Sequence, residues 1–330
     1  MVRETKRKSQ PARRAIRRPK RTPAPVTTRP SLDRLSLAHG KRTRLWRLLY
    51  GHGPGNGTLM ILPLDQGLEH GPADFFRNPE ALDTGFVFRL ASEGGYSAIA
   101  LGVGLAEKHQ QDYCGRVPLI LKLNGKTNIA DDAEAVSTRT ASVTDAVKLG
   151  ADAVGFTLYV GSPNEARGLE DFREVKQDCE RFGMPLVLWS YPRGRAIEAK
   201  GGKGTLYAQD YAARVAEELG ADVVKLHEPQ ESNERCPEPY KSLKEDAPQR
   251  IRRVVRSAGK TLVLFSGGEK QDSDAAVLYK VKLYMDCGAT GVMFGRNMWL
   301  RQREHALALT RQVHRILGRY GTEATEARSR

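Results

Sequence analysis

Two lysines stand inside otherwise apolar runs, Lys225 in Val223-Val224-Lys225-Leu226 and Lys122 in residues 118–123. Burial penalises an ammonium, so such a lysine loses its proton more readily than one in water. A neutral amine attacks carbonyls, and after loss of water the resulting imine withdraws electrons from the neighbouring carbon. The competing reading of each is a structural ion pair with a nearby acid, and position alone does not rank the two lysines. Asp65 ends the run 59–64 and Tyr191 ends the run 185–191. Both are groups that move protons around an imine. Asp65 also suits the cap of a following turn, and Tyr191, with Pro192 after it, the closing of one. Two further runs end in Ser266-Gly267-Gly268 and Gly295-Arg296. Glycine lets backbone N–H groups approach a phosphate, and Arg296 adds charge-assisted hydrogen bonds. Left-handed turns need glycine too, so the glycines by themselves are weak evidence.

The elements that must position these residues are short apolar runs at 59–64, 98–101, 118–123, 153–159, 185–191, 223–226, 261–265 and 291–294. Amphipathic segments separate them. In residues 208–219, Tyr211, Ala212, Val215 and Leu219 recur at helical spacing, and Gly220 stops the helix. The same stop recurs at Leu149-Gly150, Phe182-Gly183 and Cys287-Gly288, each just before a strand. Apolar strands alternating with helices imply a parallel sheet covered by helices, and eight units fit a closed α/β barrel, the (β/α)8 or TIM barrel. In such barrels chemistry sits at the C-terminal ends of the strands. Asp65, Lys122, Asn124, Trp189, Ser190, Tyr191 and Lys225 all stand in or at the ends of those strands.

The chain has 330 residues and a formal net charge of +14. Residues 1–32 hold eleven Lys or Arg against one acid, Glu4, so the remainder carries only +4. This arm is rich in Arg, Lys, Pro, Ser and Thr and reads as disordered, because it buries too little to offset its ordering entropy. Three roles stay open for it: a solvated extension, a weak polyanion contact, or a targeting peptide. The expected organisation is a basic arm over 1–32, a helical segment and Gly-rich loop over 33–57 with a helix across 35–49, a barrel over 58–320, and a flexible tail over 321–330. No apolar run approaches the roughly 20 residues that span a bilayer, and nothing at the start resembles a secretory signal. The four cysteines form no C-x-x-C pair, which fits free thiols and a cytoplasmic protein. Gly201-Gly202-Lys203-Gly204-Thr205 lacks the spacing of a phosphate loop and reads as a surface loop.

Taken together, Leu62-Pro63-Leu64-Asp65-Gln66-Gly67-Leu68-Glu69-His70-Gly71, Trp189-Ser190-Tyr191-Pro192-Arg193-Gly194, Ala221-Asp222-Val223-Val224-Lys225, Ser266-Gly267-Gly268 and Gly295-Arg296-Asn297 resemble the archaeal-type, DhnA-like class I fructose-bisphosphate aldolases. The resemblance runs from about Gly51 to Gly318. It implies that Lys225 is the Schiff-base lysine, Tyr191 the proton donor and Asp65 the aspartate that assists imine formation. It also implies substrate-binding segments at Asp65 to Glu69 (with Gln66, Gly67 and Leu68), at Tyr191, Pro192 and Arg193, at Gly267 and Gly268, and at Gly295 and Arg296. His70, Lys122, Trp189 and Ser266, at the same mouth, complete the expected set. The expected partners are phosphorylated ketoses and trioses, in a homo-oligomer, with no cofactor and no metal. The seven histidines contain no H-x-x-x-H or H-x-H pair of the kind a metal-dependent aldolase needs.

Related enzymes of the family imply an alternative, a 2-amino-3,7-dideoxy-D-threo-hept-6-ulosonate synthase-like transaldolase, and others act as thiolases. Trp189 resembles the aldolases more than the heptulosonate synthases. From a different class, the arm suggests a polyanion-binding protein, although it lacks aromatic residues for base stacking. Two features depart from the family pattern: the basic arm, and the long Pro-rich segment 229–248, which is expected to reshape the mouth of the site.

Overall fold

The computed structural model describes residues 30–271 and 273–321. Eight parallel strands form a closed barrel: β1 Leu59–Leu64, β2 Ala98–Gly102, β3 Leu119–Lys122, β4 Ala153–Val160, β5 Leu186–Pro192, β6 Val223–Leu226, β7 Leu262–Ser266 and β8 Gly291–Met293. Around the barrel they run β1-β8-β7-β6-β5-β4-β3-β2. Each coincides with an apolar run of the sequence to within one residue at either end. A two-residue antiparallel pair, Asn124–Gly125 with Thr138–Arg139, lies outside the barrel.

Side chains alternate across each strand, and the alternation sorts two cores. Met60, Leu62, Leu101, Phe156, Leu188 and Phe265 face outward into the layer shared with the helices. Leu59, Ile61, Ala98, Ile120, Val187 and Leu264 point inward and fill the barrel. The helices end as the sequence implies: Gly150, Gly183, Gly220 and Gly288 all take positive φ, which the return into the next strand requires. The helix Leu206–Glu218 begins on Thr205, whose side chain accepts from the Ala208 N–H. Its buried stripe runs through Leu206, Ala212, Ala213 and Ala216, whereas Tyr211 is exposed.

The N-terminal segment closes the bottom of the barrel. The expected helix over 35–49 is shorter: Leu32–Arg34 forms a 3-10 turn, His39–Trp46 an α-helix, and Arg47–Gly51 a wider π-turn. Leu45, Leu48 and Leu49 are buried in the inner core, with Leu35 packed partly against it. Leu32 joins the same core at 3 % exposure, so the body begins before the expected boundary at 32. The rest of the basic arm, residues 1–29, and the tail from 322 lie outside the described residues. Lys41, buried beneath the barrel, donates to Glu180 at 2.8 Å and Asp222 at 2.9 Å. Burial works against its charge, but Asp222 and Glu180 outweigh burial and hold its pKa above the ordinary lysine value. Asp222 also accepts from the Leu186 N–H at 2.8 Å, and Arg47 Nε donates to Asp152 at 2.6 Å.

Candidate active site

The inward alternation that fills the barrel with aliphatic groups turns polar at the C-terminal ends of the strands. In register, Trp189 on β5 lies opposite Lys225 on β6 and Thr157 on β4, and Tyr191 opposite Tyr159. These side chains, with Asp65 after β1, His227 after β6 and Met293 on β8, line a cavity of about 280 Å³. The indole of Trp189 stands between the two candidate lysines, 5.0 Å from Lys122 Nζ and 5.2 Å from Lys225 Nζ to its centroid.

Both lysines are buried, Lys122 at 3 % and Lys225 at 6 % exposure, yet their surroundings drive them apart. Lys122 Nζ lies 3.2 Å from Glu69 Oε1 and 3.5 Å from Asp65 Oδ2. Burial disfavours its charge, but the two carboxylates outweigh burial and hold its pKa above the usual value. Lys225 makes no ion pair within 4 Å among the described residues. Burial pushes its pKa down, the attraction of Asp65 opposes this only in part, and the nearby Lys122 charge lowers it further, to about 8. Burial pushes the Asp65 carboxyl upward, but Lys122 and Lys225 more than reverse this and hold it below the usual carboxylate range.

The aromatic side is just as ordered. Tyr191 stacks on His227 with ring centroids 4.5 Å apart and planes at 19°. Burial first, and the Asp65 charge second, raise the Tyr191 phenol well above its ordinary value, so it keeps its proton. Burial, then the positive charges of Arg193 and Lys225, push His227 down to about 3, so its ring is neutral. His227 Nδ1 shares a 2.7 Å hydrogen bond with Ser266 Oγ. Trp189 Nε1 and Thr157 Oγ1 are buried polar atoms with no hydrogen-bond partner among the described residues.

Ser266, Gly267, Gly268, Gly295 and Arg296 line the β7–β8 side of the cavity. A Cβ on Gly267 would meet Asn297 and Phe294 at under 3 Å, so only glycine fits there; Gly268 takes a φ of 63°. The buried Asn297 donates to the Gly267 and Glu269 carbonyls and accepts from the Gln271 N–H, which fixes this turn.

Most residues singled out in the sequence come together here. Asp65, Glu69 and His70, then Trp189, Tyr191 and Arg193, join Lys225 and the two glycine-rich ends in one wall. Gly67, Leu68 and Lys122 do not line this cavity. They face a neighbouring, more apolar one of about 440 Å³, so Lys122 touches the site through its carboxylates and the indole. Pro192 is buried in β5 opposite Val160 and lines neither cavity. Gln66 opens the helical turn Gln66–Glu69.

The sequence reading missed His227, to which period-two alternation from Lys225 points, and Thr157 and Tyr159, which the register of β4 on β5 brings beside Trp189 and Tyr191. It also missed Lys126, Asn128 and Asp132, which arrive on an irregular loop with no periodic signal. Two expectations need correction. The loop 201–205 is not a bare surface loop, because Lys203 reaches the cavity and Gln209 Nε2 holds its carbonyl at 2.7 Å. The segment 229–248 lines no part of the cavity. Instead it braces that loop from behind: the Gln230 N–H donates to the Gly204 carbonyl at 2.7 Å and Asn233 Nδ2 to the Gly201 carbonyl at 3.0 Å.

A family model described as DeoC/LacD family aldolase matches residues 59–301. The chain belongs to the DeoC/LacD aldolase family. Within it, the chain is 40 % identical over 261 residues to the class 1 fructose-bisphosphate aldolase of Thermoproteus tenax, covering 79 % of this chain and 90 % of that protein. It is 39 % identical over 255 residues to the aldolase of the same name from Halobacterium salinarum, covering 77 % and 88 %. A solved archaeal fructose-1,6-bisphosphate aldolase, with its catalytic lysine covalently bound to the carbinolamine intermediate, superposes on this DeoC/LacD aldolase with a TM-score of 0.69. The two are 38 % identical, with 82 % of this chain and 99 % of that one covered. A fructose-bisphosphate aldolase from Slackia heliotrinireducens, 24 % identical, shares the fold at a TM-score of 0.76 over 91 % of this chain and 94 % of that one.

Proposed function

We propose that this protein is a class I fructose-bisphosphate aldolase that reversibly cleaves fructose 1,6-bisphosphate to dihydroxyacetone phosphate and glyceraldehyde 3-phosphate, with Lys225 as its Schiff-base lysine. One observation carries the choice of residue: of two buried lysines beside one indole, Lys122 is neutralised by carboxylates and Lys225 has its pKa lowered to about 8. Lys225 Nζ attacks C2 of the ketose, and Asp65 moves protons as the carbinolamine forms and loses water. The protonated imine then takes up the electron pair of the C3–C4 bond once a base removes the C4 hydroxyl proton. The aldehyde leaves, the Tyr191 phenol protonates the enamine carbon, and hydrolysis frees the ketone and restores the amine. Ser266, Gly267, Gly268, Gly295 and Arg296 supply donors for a phosphate, while Trp189 Nε1 and Thr157 Oγ1 offer hydrogen bonds to sugar hydroxyls. Glu69 and His70 complete the wall on the Asp65 side.

The same reading takes the barrel over 58–320 as the catalytic body of a cytoplasmic homo-oligomer, with the basic arm ahead of Leu32 either a solvated extension or a weak polyanion contact. Free thiols at all four cysteines support the compartment, and the exposed Leu68, Phe76 and Leu82 support subunit contact. Among the described residues no helix is long and apolar enough to cross a membrane.

Borohydride added with dihydroxyacetone phosphate tests the covalent step. It should inactivate irreversibly and leave the added mass on the Lys225 peptide, while borohydride alone does little. Lys225→Arg should be inactive, since a guanidinium stays protonated. Tyr191→Phe should trap substrate but turn over slowly. Mass on Lys122 would overturn the assignment.

A further inference from the structure

Three cations of the cavity wall converge on one carboxylate. Asp132 lies 3.1 Å from Lys126 Nζ, 3.2 Å from Arg193 Nε and 3.2 Å from Lys203 Nζ. All four residues line the cavity. They come from the β3–β5 side of the mouth: Arg193 directly follows β5, Lys203 stands on the next loop, and Lys126 and Asp132 follow β3. The glycine-rich ends with Arg296 lie across the barrel on β7 and β8, and Lys225 on β6 and Asp65 after β1 stand between the two sides.

The cluster is built rather than incidental. Lys203 is fixed through its backbone by the fully buried Gln209, which also accepts from the His227 N–H at 3.1 Å, and its loop is braced by Gln230. The side chain of Arg193 is 15 % exposed and packs over the rings of Tyr159 and Tyr191. Its Nε is buried and, although close to Asp132, makes no hydrogen bond of good geometry among the described residues. Asp132 accepts from Lys203 Nζ at 3.2 Å but leaves Arg193 Nε unsatisfied, so it compensates the charge of the cluster without satisfying all of its donors. A carboxylate offers two oxygens, whereas a phosphate offers three and a second negative charge. Three cations less one carboxylate leave an excess of two positive charges, the complement of a phosphate dianion.

We propose that Asp132 is a specificity-determining residue, a resident counter-ion that holds Lys126, Arg193 and Lys203 in place until the phosphate at the far end of the sugar displaces it. The proposal rests on the aldolase reading for the identity of the sugar. An end that carries a phosphate dianion displaces Asp132 and gains all three cations. An uncharged end does not compete with the carboxylate, and it leaves the cluster closed on itself. The segment 229–248, by bracing the loop of Lys203, is what lets this lysine reach the cavity wall.

The test uses the full chain, with inorganic phosphate as probe in titration calorimetry and steady-state kinetics alongside. Asp132→Asn should tighten phosphate binding on the order of five-fold or more, as expected for removing one competing charge at contact distance. It should lower KM for fructose 1,6-bisphosphate and leave KM for fructose 1-phosphate unchanged. Asp132→Asn combined with Lys203→Met should lose the gain, which places the phosphate at this cluster and not at Arg296. Unchanged melting of Asp132→Asn, whose wild-type side chain is 44 % exposed, certifies the fold. Weaker phosphate binding in Asp132→Asn would make the carboxylate a mere scaffold and overturn the proposal, as would equal shifts of KM for both sugars. Calorimetry needs no turnover, so it reads the cluster independently. A failed borohydride trap would sink the aldolase reading alone.

Discussion

Replacing Lys122 by Met should make Lys225 a poorer nucleophile at neutral pH without touching it. Two consequences add with the same sign. The variant removes a positive charge whose repulsion lowers the Lys225 pKa, and it strips Asp65 and Glu69 of the cation that neutralises them. Both changes favour the protonated form of Lys225. A pKa of about 8 leaves roughly one Lys225 in ten as free amine at pH 7, whereas the ordinary value of 10.5 would leave about one in three thousand. At an effective dielectric constant of ~20, a unit charge ~8 Å away is worth about 2 kcal/mol, which moves a pKa by roughly 1.5. The midpoint should therefore climb from about 8 to above 9, and the free-amine fraction at pH 7 should fall by roughly ten- to thirty-fold. The assay is the rate of borohydride inactivation with saturating dihydroxyacetone phosphate, followed from about pH 6.5 to 10. The wild-type rate should rise about tenfold from pH 7 to a plateau, and the variant should trace the same curve displaced upward. Lys122→Arg, which keeps the charge, should leave the midpoint in place. If Lys122→Met leaves the midpoint still, or lowers it, Lys122 does not set the state of Lys225 and the reasoning fails.

Two further outcomes follow from burial. Lys225 has a folded pKa below its unfolded value, so the unfolded chain binds more protons between about pH 8 and 10.5, and stability rises with pH across that window. Lys225→Met removes a penalty of up to about 3 kcal/mol at pH 7, so its melting temperature should exceed wild type there and converge on it near pH 10. Deleting residues 1–29 should leave melting and turnover unchanged, whereas deleting through Leu32 should lower stability by about 1.5–3 kcal/mol, the worth of one buried leucine; equal melting of the two truncations would contradict its place in the core.

The barrel was legible because its strands are continuous apolar runs and its helices stop at Gly150, Gly183, Gly220 and Gly288, features that need no tertiary knowledge. Lys225 was legible as a polar residue inside such a run, and Tyr191 and Asp65 as polar residues at the ends of two others. What sequence position could not do was rank Lys122 against Lys225. That difference arises from carboxylates after β1 meeting a lysine on β3, a contact set by barrel closure. Lys126, Asp132 and Lys203 were illegible for a related reason: they come from loops without periodicity, and only their convergence gives them meaning. Tyr211 shows the opposite error, since helical spacing placed it on the inner stripe although the stripe of small alanines lets the helix lie close without it.

Lys41 and Asp222 lie at the end of the barrel away from the chemistry, and Asp222 directly precedes the strand that carries Lys225. Because the same carboxylate also grips the Leu186 amide, the relative height of β5 and β6 is set from below, where no reactant reaches. Endurance and chemistry thus occupy opposite poles of one molecule. Packing around Leu45 and Leu48 can therefore change without reaching the mouth so long as Lys41 keeps Asp222 paired, and residues of the mouth can change while the plug still holds β5 and β6 in register.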